Sequence, residues 1–269
     1  MAVAKWILDV DGARLCFQVV FNGILLAQDV ARERLSRAFR LNGWALQGDN
    51  QVQVMLAALP PVSASPPAAG SSREAVLRAP APPLFRLRLR ELVAGAAERV
   101  LAQYEWDVAT MPLPISGSSP AFAQTVTLSP SAAWAWTRAE AVPRLSDNDV
   151  AEIGQLLTTL RTALLERNAT ELLRLQGPAL AEQAMAVGDD ARLIQQGYAQ
   201  FLSDRMGAAD WSVRRLNLDG LRMQPMAGGR LVHVTDSAGL PPVAADCGES
   251  TFAIDPWLAK LAGRWVIVR

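Results

Sequence analysis

Residues 146–166 constrain this chain more than any other stretch, because they spell a helix with a marked start and one apolar face. Val150, Ile153, Leu157, Leu160 and Leu164 recur in steps of three and four, which stacks them on one side of an α-helix. Ser146 is placed to cap the free N–H groups of the first turn, and Asp149 stands where a capping box takes an acid. Asp147, Asp149 and Glu152 gather at the positive end of the helix dipole, where negative charge is favoured. Gln155, Thr159, Arg161 and Glu166 fall on the other side. The expectation is a surface helix over a core, with β-structure before it and a compact α+β module after it.

The segment before it reads as a β-meander. Trp6, Leu8 and Val10 alternate with polar neighbours, Asp11-Gly12 predicts a tight turn, and Leu15, Phe17, Val19 and Phe21 alternate after it. Asn22-Gly23 predicts a second hairpin into Ile24-Leu25-Leu26, because both turn residues tolerate positive φ. Residues 32–40 are ambiguous between a short helix and a crossover. Gln47-Gly48-Asp49-Asn50 leads into Val52, Val54 and Leu56. Residues 60–83 are rich in Pro, Ala and Ser and cannot supply the hydrogen bonds of a ladder, so a long loop is expected inside this domain. Strands resume at Phe85, Leu87 and Leu89, then at Val100, Ala102, Tyr104 and Trp106, then over 122–128. About eight short strands predict an antiparallel β-sandwich over residues 1–140.

Arg86, Arg88 and Arg90 share one face of their strand, which raises a phosphate- or nucleic-acid-binding comb. A solvated outer face opposite Phe85, Leu87 and Leu89 is the preferred reading. The whole chain has 26 basic and 26 acidic residues, so it lacks the wider basic footprint of a nucleic-acid binder. Trp134 and Trp136, beside the domain boundary, are expected to wedge the two domains together.

Over residues 141–269 the pattern predicts an α+β domain. A short helix from Asn168 or Thr170 should end at Gly177-Pro178, followed by helices near 179–187 and 191–206. Leu193, Gly197, Tyr198, Phe201 and Leu202 are expected on the inner face of the last. From Trp211 onward the period becomes two, giving a sheet of about five strands at 211–213, 221–223, 231–233, 251–255 and 263–268.

Chemistry is sparse. His233 is the only histidine, so Ser-His-Asp triads and histidine-rich metal sites are nearly excluded. Asp246, Cys247 and Glu249 offer one thiol and two acids without a histidine, which does not make a metal site. No phosphate-cradling glycine loop and no Gly-x-Ser-x-Gly is present. Catalytic, cofactor and metal residues are therefore expected to be none. Cys16 and Cys247 make no disulfide framework. Neither a signal peptide nor a run of about 20 apolar residues is evident, so no membrane association and a cytoplasmic location are expected.

The run 163–173, Ala-Leu-Leu-Glu-Arg-Asn-Ala-Thr-Glu-Leu-Leu, and the run 261–269, Leu-Ala-Gly-Arg-Trp-Val-Ile-Val-Arg, resemble the nuclear-transport-factor-2-like fold, a cone of helices wrapped by a curved sheet. That cone preceded by a β-sandwich carrying Leu41-Asn42-Gly43-Trp44 and residues 48–54, then by Trp134-Ala135-Trp136, is similar to immunity proteins of bacterial type VI secretion systems, in particular the partners of nuclease toxins. The resemblance implies a non-enzymatic antidote that binds a cognate secreted toxin and covers its active site, with no direct contact to nucleic acid. Asp189, Asp190, Asp246 and Glu249, in the more acidic half, are the candidate toxin-binding residues. A cone-type enzyme or small-ligand carrier is the alternative, with Tyr198, Trp211, His233 and Trp265 lining its pocket. An adaptor that loads an effector onto the secretion machinery is the third reading. Oligomeric state is left open by the sequence.

Overall fold

In the computed structural model, residues 3–31, 34–57, 82–107, 120–130 and 133–269 are described, so most of the proline-rich stretch expected as a loop lies outside them. The chain is α+β and divides into two compact units, Met1–Leu41 with Gly48–Leu128, and Asn42–Gln47 with Ser129–Arg269. The short segment 42–47 therefore groups with the helical unit, although strands of the first unit flank it in sequence.

The first unit has eight strands among its described residues: β1 (Lys5–Ala13), β2 (Leu15–Phe21), β3 (Ile24–Ala31), β4 (Leu35–Arg40), β5 (Gly48–Ala57), β6 (Leu84–Leu92), β7 (Arg99–Asp107) and β8 (Phe122–Leu128). They form two antiparallel sheets, ordered β4-β1-β6-β7 and β3-β2-β5-β8. Leu8, Val10, Phe85, Leu87 and Leu89 of one sheet and Phe17, Val19, Phe21, Val52 and Val54 of the other are buried on alternate positions. The Phe17 and Phe85 rings meet at 5.2 Å between centroids, which joins the two layers.

Asn22 and Gly23 have φ of 52° and 74° and close the expected β2–β3 hairpin. The turn expected at Asp11-Gly12 lies instead at Arg14, with φ 58°. β1 runs straight through Gly12, where an added Cβ would stand 2.7 Å from the Phe17 ring. β1 and β2 belong to different sheets, so their link is a sheet switch and no hairpin. Of the stretch 32–40, ambiguous in sequence, Leu35–Arg40 form β4, and residues 32 and 33 lie outside the described residues. A bulge between Leu89 and Arg90 sets Val100 opposite Arg90, on the outer face, and Val100 is exposed despite its place in the alternation.

The second unit opens on a 3-10 turn, Ala135–Arg138, then α1 (Asp147–Leu165), α2 (Ala169–Val187) and α3 (Ala191–Met206). Ser146 and Asp149 form the expected capping box at α1. Ile153, Leu157, Leu160 and Leu164 are buried as expected, whereas Val150, one turn from the start, is exposed. α2 does not stop at Gly177-Pro178 but continues through Pro178. Proline crowds a preceding helical residue chiefly through that residue's Cβ, and Gly177 has none. Leu172, Leu180, Ala184 and Ala186 are buried along both halves, and their packing offsets the hydrogen bond that Pro178 cannot make.

Seven strands follow rather than about five: β9 (Ser212–Val213), β10 (Arg222–Met226), β11 (Leu231–Thr235), β12 (Val243–Cys247), β13 (Ser250–Ile254), β14 (Trp257–Leu261) and β15 (Arg264–Ile267). They form two sheets, β10-β11-β14-β15 and β13-β12-β9. Val232, Val234, Leu258, Trp265 and Ile267 meet Ile153, Leu157, Leu160, Leu164, Leu172 and Leu202 in one core.

Candidate functional site

α3 is the element whose sequence and burial disagree most. Asp190 caps it by accepting from Arg192 N at 2.7 Å. Leu202 and Met206 are buried, and half-buried Tyr198 exchanges hydrogen bonds with Gln176 of α2. Burial drives the Tyr198 phenol above its ordinary pKa. The five apolar positions expected on one inner face in fact fall on two adjacent lines. Tyr198 and Leu202 face inward, while Leu193, Gly197 and Phe201, each four residues apart, lie outside. Leu193 is 66% exposed and Phe201 41%. Met185, near the end of α2, is exposed as well. The Phe201 ring stands 6.2 Å from Tyr198 and 6.0 Å from Phe252 of β13, which fixes its position without covering it.

The four acidic candidates do not form one cluster. Asp189 and Asp190 precede α3, whereas Arg205 at its other end donates to Ser250 at 2.6 Å, beside Glu249. Fifteen helical residues separate the two ends, about 22 Å. Asp246 is bound in a bidentate pair with Arg214, at 2.6 Å, which holds its carboxyl below the ordinary range. Asp190 has its capping role, and Asp189 and Glu249 are exposed. Asp189 and Asp190 thus stand at one end of the exposed stripe of α3 and Glu249, with Asp204, near the other, while Asp246, on β12, is engaged by Arg214.

Nor do the four pocket candidates converge. Trp265 is buried in the core and donates to Asp149 at 3.1 Å. Trp211 donates to the Leu164 carbonyl at 3.2 Å and packs against that core, as does Tyr198. His233 lies between the core residues Val232 and Val234 and so points from the other face of β11. There its Nε2 meets Asp255 at 2.7 Å and its ring stacks on Trp257, centroids 4.2 Å apart. These aromatics fill the interior or hold its sheet, which is a structural use.

No family model, curated protein or solved structure matches this chain. Arg90 pairs with Asp9 at 2.5 Å and with Glu98 at 3.0 Å, and Arg88 pairs with Glu98 at 2.8 Å. Arg86 lies opposite Asp11 and Glu105 in register. Arg88 and Arg90 are therefore compensated on the outer face itself, while Asp11 opposite Arg86 pairs with Arg34. Among the described residues no group of three His, Cys, Asp or Glu side chains could hold a metal, both cysteines are free, and no helix is long and apolar enough to cross a membrane.

One cluster in the second unit joins residues that the sequence did not connect. The indole N–H groups of Trp134 and Trp136, expected as an interdomain wedge, donate to the carbonyls of Ala45 at 2.6 Å and Gly43 at 3.3 Å, inside their own unit. The Arg269 guanidinium lies over both Trp44 and Trp134 and pairs with buried Glu182 of α2. A Cβ at Gly43 would come within 2.7 Å of that guanidinium, so any larger residue there would have to displace Arg269.

Proposed function

We propose that this chain is a protein-binding inhibitor of the type VI immunity kind, which neutralises a cognate secreted toxin, of nuclease type, by covering its active site. It would act in the cytoplasm and perform no chemistry of its own. The observation that supports this reading is the outer stripe of α3, where Leu193 and Phe201 stay in solvent on a well-capped helix. Water-exposed apolar side chains aligned on a rigid element are the usual anchor of a protein interface. The sequence resemblance supports it independently. Three helices followed by antiparallel strands is the order expected of the cone-like second domain in that resemblance.

The reading predicts that the chain, tagged and captured from its native cells, copurifies with one stoichiometric toxin-bearing protein. Co-expression of the chain with that protein should restore colony formation to the level of an empty vector. Failure to rescue would remove the inhibitor reading. Loss of toxin export on deletion, without self-poisoning, would assign an effector-loading role instead.

A further inference from the structure

We propose that the exposed stripe of α3 is the contact itself, and that it receives an apolar ridge which crosses closely at Gly197 and is flanked by basic side chains. This rests on the inhibitor reading and names the chemistry of its partner.

Gly197 carries the first part of the argument. It sits mid-helix between Leu193 and Phe201, where glycine is the poorest helix former after proline. Its φ is not in the left-handed region, and a Cβ there would meet nothing within 4 Å. Its successor is Tyr198, so the relief that Gly177 gives Pro178 does not apply. Among the described residues nothing requires a glycine at this position. A partner backbone lying in the notch between Leu193 and Phe201 does require one.

Charge carries the second part. Asp189 and Asp190 stand at one end of the stripe beside exposed Arg192, and Asp204 and Glu249 at the other beside Arg205, which donates to Ser250 and lies over the Phe201 ring, so two acids outnumber one arginine at each end. A second copy of this chain fits poorly. Either orientation of a two-fold helix pair sets an acidic end against an acidic end. A basic rim fits both ends. The substrate cleft of an enzyme that cleaves nucleic acid has such a rim, because it must neutralise phosphates.

Light scattering of the full chain alone should show a monomer. A dimer that Leu193→Asp dissociates would overturn the proposal in favour of a second copy. The captured toxin is then titrated against the full chain and its variants. Leu193→Asp and Gly197→Leu should each weaken binding about 30-fold or more. Asp189→Lys combined with Asp204→Lys should slow association about tenfold at low salt. Gly197→Ala should raise Tm by about 2–4 °C, which shows that loss of binding at this position is not loss of fold. If Leu193→Asp and Gly197→Leu bind and rescue like the wild type, the contact lies elsewhere and the inhibitor reading survives alone. If no toxin is captured and nothing is rescued, both fall together.

Discussion

Truncating Arg269 to alanine should lower the unfolding free energy by about 3–5 kcal/mol, read in urea or thermal melts. The Arg269 side chain is 13% exposed and that of Glu182 4%, with Nη1 and Oε2 2.7 Å apart. The guanidinium carbon lies 5.2 Å from the Trp44 ring centre and 5.1 Å from that of Trp134, and Nη2 donates to the Gly43 carbonyl at 2.5 Å. Burial holds this guanidinium below its ordinary pKa, against the pull of Glu182. Alanine would leave the Glu182 carboxylate as a lone buried charge with only the Ala135 N–H to compensate it. It would also empty the space between two indoles. The pair is close but poorly aligned, since neither Glu182 Oε2 nor Arg269 Nε has a hydrogen-bond partner among the described residues. A double variant, Glu182→Leu with Arg269→Met, should therefore recover most of the loss, because it removes both charges and keeps the volume. A single-variant loss below about 1 kcal/mol would mean that the charge reaches water and the cluster is not a fixed point of the fold.

What could be read from the sequence follows from how local each determinant is. The α1 cap involves residues three apart, and the Asn22-Gly23 hairpin needs only two neighbours with positive φ, so both are visible in a short window. The missed strands β12 and β14 have a different cause. Val-Ala-Ala and Trp-Leu-Ala, which open them, are buried at every position, so no period-two alternation marks them. The sheet switch at Arg14 depends on the long-range partners of β1 and β2, β6 and β5, which no turn signal reports. Continuation of α2 past Pro178 depends on burial of Leu180 and Ala184, which is tertiary information. At the candidate site the apolar content of α3 was legible and its orientation was not. Two lines of apolar residues 100° apart cannot both face one core, and only the neighbours of Tyr198 and Leu202 decide which does. The Arg269 cluster draws on residues 43, 44, 134, 182 and 269, too far apart in sequence for any window to join.

Asp149→Asn should remove about 2–3 kcal/mol of stability at pH 7, and that loss should vanish as the pH is lowered. Buried Asp149 accepts from Lys260 Nζ at 2.8 Å, from the Ser146 hydroxyl at 2.6 Å and backbone N–H at 3.0 Å, and from Trp265 Nε1 at 3.1 Å. Lys260 is the largest cause, followed by Ser146 and, less strongly, Trp265, and together they hold the carboxyl well below the ordinary range despite its burial. Because the folded pKa is depressed, the unfolded chain binds more protons as acid is added. The contribution is complete above the unfolded carboxyl pKa, near 3.8, and declines as the pH falls from there towards the folded value. Asparagine keeps the shape and, like the protonated acid, offers one acceptor oxygen where the carboxylate offers two, so the variant stands in for the protonated state. Urea midpoints for both proteins should run parallel from pH 7 to about pH 5 and begin to converge from there to pH 3. Other carboxylates with partners, such as Asp246 and Glu171, tilt both curves alike and drop out of the difference. Parallel curves would show that Asp149 acts only as a helix cap. Convergence would show that one carboxylate ties the start of α1 to β14 and β15, the join on which the core of this unit closes.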